Sequence, residues 1–338
     1  MILYLLNLIQ SKALVAVPLI AIATCAVLAA PSTKWEERAP LPESNGGFIA
    51  GSVGGEIVLL GGTNWQDGTK HWLTGIRRYD PTRNQWRDAG KLEAPLAYAA
   101  NGGDGNTLWY ASGTSGTATH LSLWQVQKAG APREVAKLPE GIVYAGAAVI
   151  GSKLYVLGGA EDQAKLETLS PRFRAIDVKT GQMTKLPDYP ETGFFVGATA
   201  AVGERFYAFG GARFDPSKEN KVTNLSAAHV YSIKSGKWSA LPPLSARNRG
   251  ITAVQLDDTH LYLAGGYRDN PEGFTVDAYI FDTRANTYRP GLPLPYSAMV
   301  GLVKVGEWVY CMGGEDRMKH RSDKVFRMRA RDLLQAGR

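Results

Sequence analysis

Cysteine is almost missing from this chain of 338 residues: there are two, Cys25 and Cys311. That excludes a disulfide framework as the source of stability and leaves the work to a large apolar core. Histidine is scarce as well. His71, His120, His229, His260 and His320 stand far apart, with neither an HxH nor an HExxH spacing, so nothing suggests a metal centre. There is no polybasic block interleaved with aromatics, and the net charge of +7 is modest for this length, so nucleic acid is not the expected ligand. No phosphate-binding loop, dinucleotide fingerprint or nucleophile elbow occurs either. The expected site needs no cofactor and no metal.

One long uncharged run is present. Residues 13–30, eighteen in all, carry no charge and follow Lys12. Their length and their small residues at the end suit a secretory signal peptide, with an uncleaved membrane anchor as the alternative. The expected division is therefore 1–30 as signal or anchor and 31–338 as the folded body. The expected location is exported, periplasmic or secreted, with the membrane touched only through the N-terminal segment. Cys25 falls in that run. Cys311 sits in Trp308-Val309-Tyr310-Cys311-Met312 and reads as a small buried hydrophobe.

Glycine is plentiful, and its placement is periodic. Short apolar runs end in glycine doublets at Gly61-Gly62, Gly158-Gly159, Gly210-Gly211, Gly265-Gly266 and Gly313-Gly314, with a degenerate Ser112-Gly113 between the first two. Successive copies lie 46 to 55 residues apart. A second signal keeps the same period: pairs of apolar or aromatic residues seven apart, Tyr79/Trp86, Ile176/Met183, Tyr231/Trp238 and Phe281/Tyr288. Leu-Pro breakers follow at 41–42, 138–139, 186–187, 241–242 and 292–293, with Ala94-Pro95 in the second copy. Each unit reads as four short antiparallel strands.

Repeats of about fifty residues with this doublet and aromatic pair resemble the kelch motif. The resemblance implies an all-β, six-bladed kelch-type β-propeller with four antiparallel strands per blade. A blade cannot bury both faces alone, whereas a ring of six buries them against each other. The last repeat has Leu333 where an outer aromatic belongs, while Trp35-Glu36-Glu37-Arg38 reads as a stray strand. The N-terminal strand is therefore expected to complete the sixth blade and close the ring.

Strand order brings the loops after each doublet, and the segments after each Leu-Pro, to one mouth. Asn45, Tyr98, Tyr144, Arg249 and Tyr296 begin the inner strands there. Aromatics with a few polar groups suit a sugar. Of these, Arg249, Asn45, Tyr144 and Tyr296 are the candidate substrate contacts. In the last repeat Glu315 follows the doublet and Arg321 lies six residues on, followed by Ser322, Asp323 and Val325. That segment resembles the bacterial kelch-type N-acetylneuraminate epimerases, which are sialic acid mutarotases. The resemblance implies Glu315 as proton carrier and Arg321 as the group holding a substrate carboxylate. Such a pair would open and reclose the sugar ring without a cofactor, and one positioned acid–base pair contributes about 10²–10⁴-fold. The partner is then a sugar acid such as sialic acid, or a glycan. The alternative is an exported propeller that binds glycan or protein without catalysis, because a fold does not fix a function.

Overall fold

The computed structural model describes residues 34–336. The apolar run at 13–30 and Cys25 lie outside the described residues. Six four-stranded antiparallel sheets form the blades of a β-propeller. The first blade uses Ile49–Val53, Glu56–Leu60, Gly75–Asp80 and Gln85–Lys91 in that order. Blades two to five repeat the same order within 100–137, 146–186, 198–241 and 252–290.

The sixth blade joins the two ends of the described chain. Its inner strands are Met299–Val305, Trp308–Glu315 and Val325–Arg329, and Glu36–Glu37 supplies the fourth. Glu36 faces Arg327 and Glu37 faces Phe326 in the ladder. Farther in, the Arg38 amide donates to the Val325 carbonyl and the Leu41 amide to that of Asp323.

The seven-residue spacing has a simple geometric cause. Each pair spans a tight hairpin, so its members face each other across the third and fourth strands: Tyr79 with Trp86, Ile176 with Met183, Tyr231 with Trp238, Phe281 with Tyr288. Each pair packs on the preceding blade. Tyr79 meets Tyr310 at 5.6 Å, and Tyr231 meets Phe173 at 4.9 Å between ring centres. Their polar tips reach the preceding Leu-Pro segment. Trp238 Nε1 donates to the Pro187 carbonyl and Tyr288 Oη to that of Pro242, each at 2.9 Å.

Trp35 does the same for the sixth blade. Met328 faces Val309, the register that Tyr79 holds against Ile57 in the first blade. Trp35 precedes the closing pair, and its Nε1 donates to the Pro293 carbonyl at 2.9 Å. Trp35→Ala is expected to lower stability by about 2 kcal/mol, less than for a fully buried ring. Denaturant unfolding measures this, and an unchanged midpoint would show that closure does not depend on the ring.

The doublets latch the ring. The amide of the second glycine donates to a linker carbonyl of the next blade in all six repeats: Gly62 to Leu96, Gly113 to Ile142, Gly159 to Phe194, Gly211 to Asn248, Gly266 to Ala298 and Gly314 to Asn45. The degenerate second repeat keeps the bond because only one backbone amide is needed. The residue after each of the first five doublets bridges its own linker, as in Gly46 with Thr63 and Arg249 with Tyr267. Doublet loops and linkers therefore share one mouth.

Two features go beyond the repeat. Small hairpins rise over the mouth from blades one, four and five, at Thr63–Gln66 with Thr69–Trp72, Ala212–Phe214 with Val222–Asn224, and Tyr267–Arg268 with Gly273–Phe274. A short helix, Ala330–Gln335, ends the described chain. Its Leu333 is fully buried in the cluster that contains Tyr262 and Cys311, so Leu333 packs from a helix and not from a fourth strand. Cys311 is a free, buried thiol, and burial pushes its pKa upward.

Candidate functional site

The first strands of the blades surround a central channel of about 800 Å³. Small residues make most of its wall, among them Ala50, Gly102, Ala147, Ala200 and Gly301. Close packing requires some of them: a Cβ at Gly102 would lie 3.1 Å from the Val149 nitrogen. The mouth end carries the chemistry, in Tyr98, Tyr144, Glu315 and Arg321.

A chain of backbone bonds runs around this end. The Tyr98 amide donates to Gly47, Tyr144 to Tyr98, Val196 to Tyr144, and Gly250 to Val196. All five residues have positive φ. Glycine adopts that conformation freely at Gly47 and Gly250, whereas a side chain there costs about 1–2 kcal/mol. The sixth blade departs from this pattern. Its Met299 lies in the inner strand facing Glu315, with a register shift before Gly301.

Arg321 fills the gap. Its Nη1 lies 2.9 Å from Glu315 Oε2, with the arginine side chain 5% exposed and the glutamate 30%. Nη1 also donates to the His320 carbonyl at 3.1 Å, and Nη2 to Tyr98 Oη at 3.5 Å. Nε is buried without a hydrogen-bond partner. The side chain fits because residue 46 is glycine: a Cβ there would lie 2.5 Å from Arg321 Cδ. His320 Nδ1 and Asp316 Oδ1, 2.5 Å apart, tie the ends of the loop that delivers Arg321.

Aromatic rings continue the mouth across four blades. Trp72 meets Tyr98 at 5.9 Å, Tyr98 meets Tyr144 at 4.7 Å, and Tyr144 meets Phe195 at 5.0 Å. The Lys70 ammonium lies 4.5 Å from the Trp72 ring centre and 4.8 Å from that of Tyr98. Burial pushes the Tyr98 phenol upward, but the charges of Lys70 and Arg321 and hydrogen bonds from Lys70 and Thr63 outweigh it, and its pKa falls below the ordinary value. Tyr144 goes the other way. Burial raises its pKa, the charges of Tyr98 and Asp162 add to that, and Arg321 only partly opposes it.

Of the residues expected from sequence, Glu315, Arg321 and Tyr144 meet at the channel. The other three do not line it. Asn45 is 2% exposed and its Nδ2 donates to the Gly61 carbonyl, while its own carbonyl accepts the Gly314 amide. It is the joint between blades six and one. Tyr296, 8% exposed, donates from Oη to the Gly313 carbonyl and plays the same part within blade six. Arg249 stacks on Tyr267 at 4.5 Å and binds Asn224 Oδ1 at 2.7 Å and Asp269 Oδ1 at 3.2 Å. It braces the mouth hairpins of blades four and five, and its neighbour Gly250 lines the channel. The linkers turn Asn45 and Tyr296 toward the doublet carbonyls, whereas Arg249 turns up to the mouth hairpins. Lys70 and Trp72 escaped the sequence reading, although the alternation in Thr69-Lys70-His71-Trp72 puts both on one face of a strand. Among the described residues, no cluster of three or more His, Cys, Asp or Glu side chains is arranged to hold a metal ion.

The kelch motif model matches residues 47–93, which are the first blade and its mouth hairpin. This chain is a six-bladed β-propeller that carries a kelch motif. Across 287 residues it is 25% identical to the Kelch-like protein terF of Aspergillus terreus, covering 78% of this chain and 60% of that one. It is 24% identical to Kelch-like protein 25 of Homo sapiens over 80% of this chain and 44% of that one. For Kelch-like protein 36 of Mus musculus the values are 22%, 80% and 43%. The chain thus spans between 43% and 60% of the length of these relatives. They are similar through the propeller, and none of the three bears the name of a sugar isomerase.

Proposed function

We propose that this kelch propeller is an exported binding protein without catalytic turnover, and that it seats a glycan or a sugar acid at the channel mouth. The uncharged run at 13–30 supports export. The observation that carries the binding reading is the closed pair of Glu315 and Arg321, 2.9 Å apart beneath the aromatic mouth. Arg321 is held by Glu315, His320 and Tyr98, which leaves only Nε of its guanidinium without a partner. An arginine so engaged braces the mouth and offers little to a substrate carboxylate. The rings of Tyr98 and Tyr144 supply the apolar and hydrogen-bonding surface that a sugar needs.

A second reading keeps the resemblance to N-acetylneuraminate epimerases, and one observation favours it: Glu315 and Arg321 both line the channel. NMR of the full-length protein tests the two readings together. Saturation transfer to sialyllactose or lactose is expected, and N-acetylneuraminate anomers are expected to exchange at the uncatalysed rate. Absence of transfer from both sugars would sink the binding reading. Exchange accelerated by the wild type and lost in Glu315→Gln would replace it with the isomerase.

A further inference from the structure

We infer that Tyr98 is the ligand-contacting group of the channel mouth, accepting a hydrogen bond from a hydroxyl-bearing carbohydrate while Tyr144 donates the complementary one. The inference rests on the binding reading above.

Three independent observations support it. The first is backbone conformation. Tyr98 and Tyr144 have φ of 57° and 67°, at positions where blades one and five carry Gly47 and Gly250. Both tyrosines hold a conformation that strains a side chain, and such residues concentrate at functional sites. Val196 shares the strain without a polar group, so strain alone marks the belt, and the hydroxyls distinguish the two tyrosines.

The second is the cradle. A Cβ at Gly47 would lie 2.3 Å from Tyr98 Cε1, so the glycine makes room for the ring. The ring lies between Trp72 and Tyr144, and the hydroxyl lies near Thr63 Oγ1 at 3.4 Å and Arg321 Nη2 at 3.5 Å. Both of these distances are long, so beside its bond to Lys70 the Tyr98 Oη retains capacity to accept a further donor. Tyr98 also lines the channel and is only partly buried.

The third is electrostatic. The groups facing Tyr98 are Lys70 and Thr63 from blade one, Arg321 with its partner Glu315 from blade six, and Tyr144 from blade three. The two cations favour the ionised phenol of Tyr98, while burial keeps Tyr144 neutral and able to donate. Neighbouring groups pushed in opposite directions divide the acceptor and donor roles between them. A sugar offers hydroxyls that donate and accept at once, which matches this pair. A hydroxyl donating to Tyr98 binds the ionised form better, so affinity rises with pH as the phenol ionises below its usual value near 10.

The test uses the full-length protein, Tyr98→Phe and Lys70→Met, with sialyllactose and lactose as probes. Ultraviolet titration of the wild type is expected to show one tyrosine ionising below the ordinary range. That phase is lost in Tyr98→Phe and moves upward in Lys70→Met. Sugar binding is expected to weaken about ten-fold in Tyr98→Phe. It should also tighten with rising pH in the wild type only, at a lower pH than an ordinary tyrosine would set. Response to both sugars would point to shared hydroxyls, and response to sialyllactose alone to the sialylated end. Unchanged affinity or an unchanged titration in Tyr98→Phe overturns this assignment and leaves the binding reading standing. A wild type that binds neither sugar overturns both.

Discussion

Gly314→Ala is expected to destabilise the protein by about 3–5 kcal/mol, the sum of a strained backbone and an overpacked joint. Gly314 has φ of +94°, and its Cβ would lie 2.1 Å from the Met299 carbonyl oxygen and 2.9 Å from Val300 Cα. Those atoms are backbone, so no side chain can swing aside. The same residue donates its amide to Asn45 across the ring closure and precedes Glu315. Relief of the clash must therefore move either the closing latch or the Glu315–Arg321 pair. Denaturant unfolding of the variant checks the magnitude. A loss below about 1 kcal/mol would mean that the inner strand yields easily, contrary to the tight contacts of Met299.

Phe173→Ala is expected to cost a further-reaching loss, about 4–5 kcal/mol, at the upper end for a large buried ring. Phe173 is fully buried. Its ring centre lies 5.9 Å from Tyr155, 5.0 Å from Phe206, and 4.9 Å from both Tyr231 and Trp238. Two of these neighbours are the paired aromatics of blade four, so the cavity would open at an interface between blades. Unfolding is expected at a markedly lower denaturant concentration with the mouth chemistry unchanged, because Phe173 does not line the channel. A loss under about 2 kcal/mol would show that the aromatic cluster repacks.

Much of the architecture could be read from residues alone. The doublets marked the ends of second strands, and their amides close the ring. Pairs seven apart marked hairpins, because that spacing sets two side chains opposite each other across a short turn. The missing outer aromatic of the last repeat, together with Trp35, gave the closure. The second repeat was hardest to read because Ser112 interrupts its doublet, yet Ser112 Oγ donates to the His120 carbonyl and the Gly113 latch persists. The hairpins over the mouth and the helix at Ala330–Gln335 have no counterpart in the repeat and so left no periodic trace.

The site was legible only in part. Glu315 ends a strand and Arg321 stands six residues on in the loop that follows, and local geometry brings them together at the channel. Asn45, Tyr296 and Arg249 have the same residue chemistry as mouth contacts, but hydrogen bonds to other segments turn them into braces. Lys70 acts on Tyr98 from another blade, which no spacing along the chain could show.

By itself the sequence determined the repeat, the strand order and the closed ring, because these follow from local patterns that recur in each blade. The tertiary structure alone decided which side chains reach the channel. That choice depends on which segments of neighbouring blades the linkers and doublet loops bond, and on the room that glycines at 46 and 47 leave for Arg321 and Tyr98.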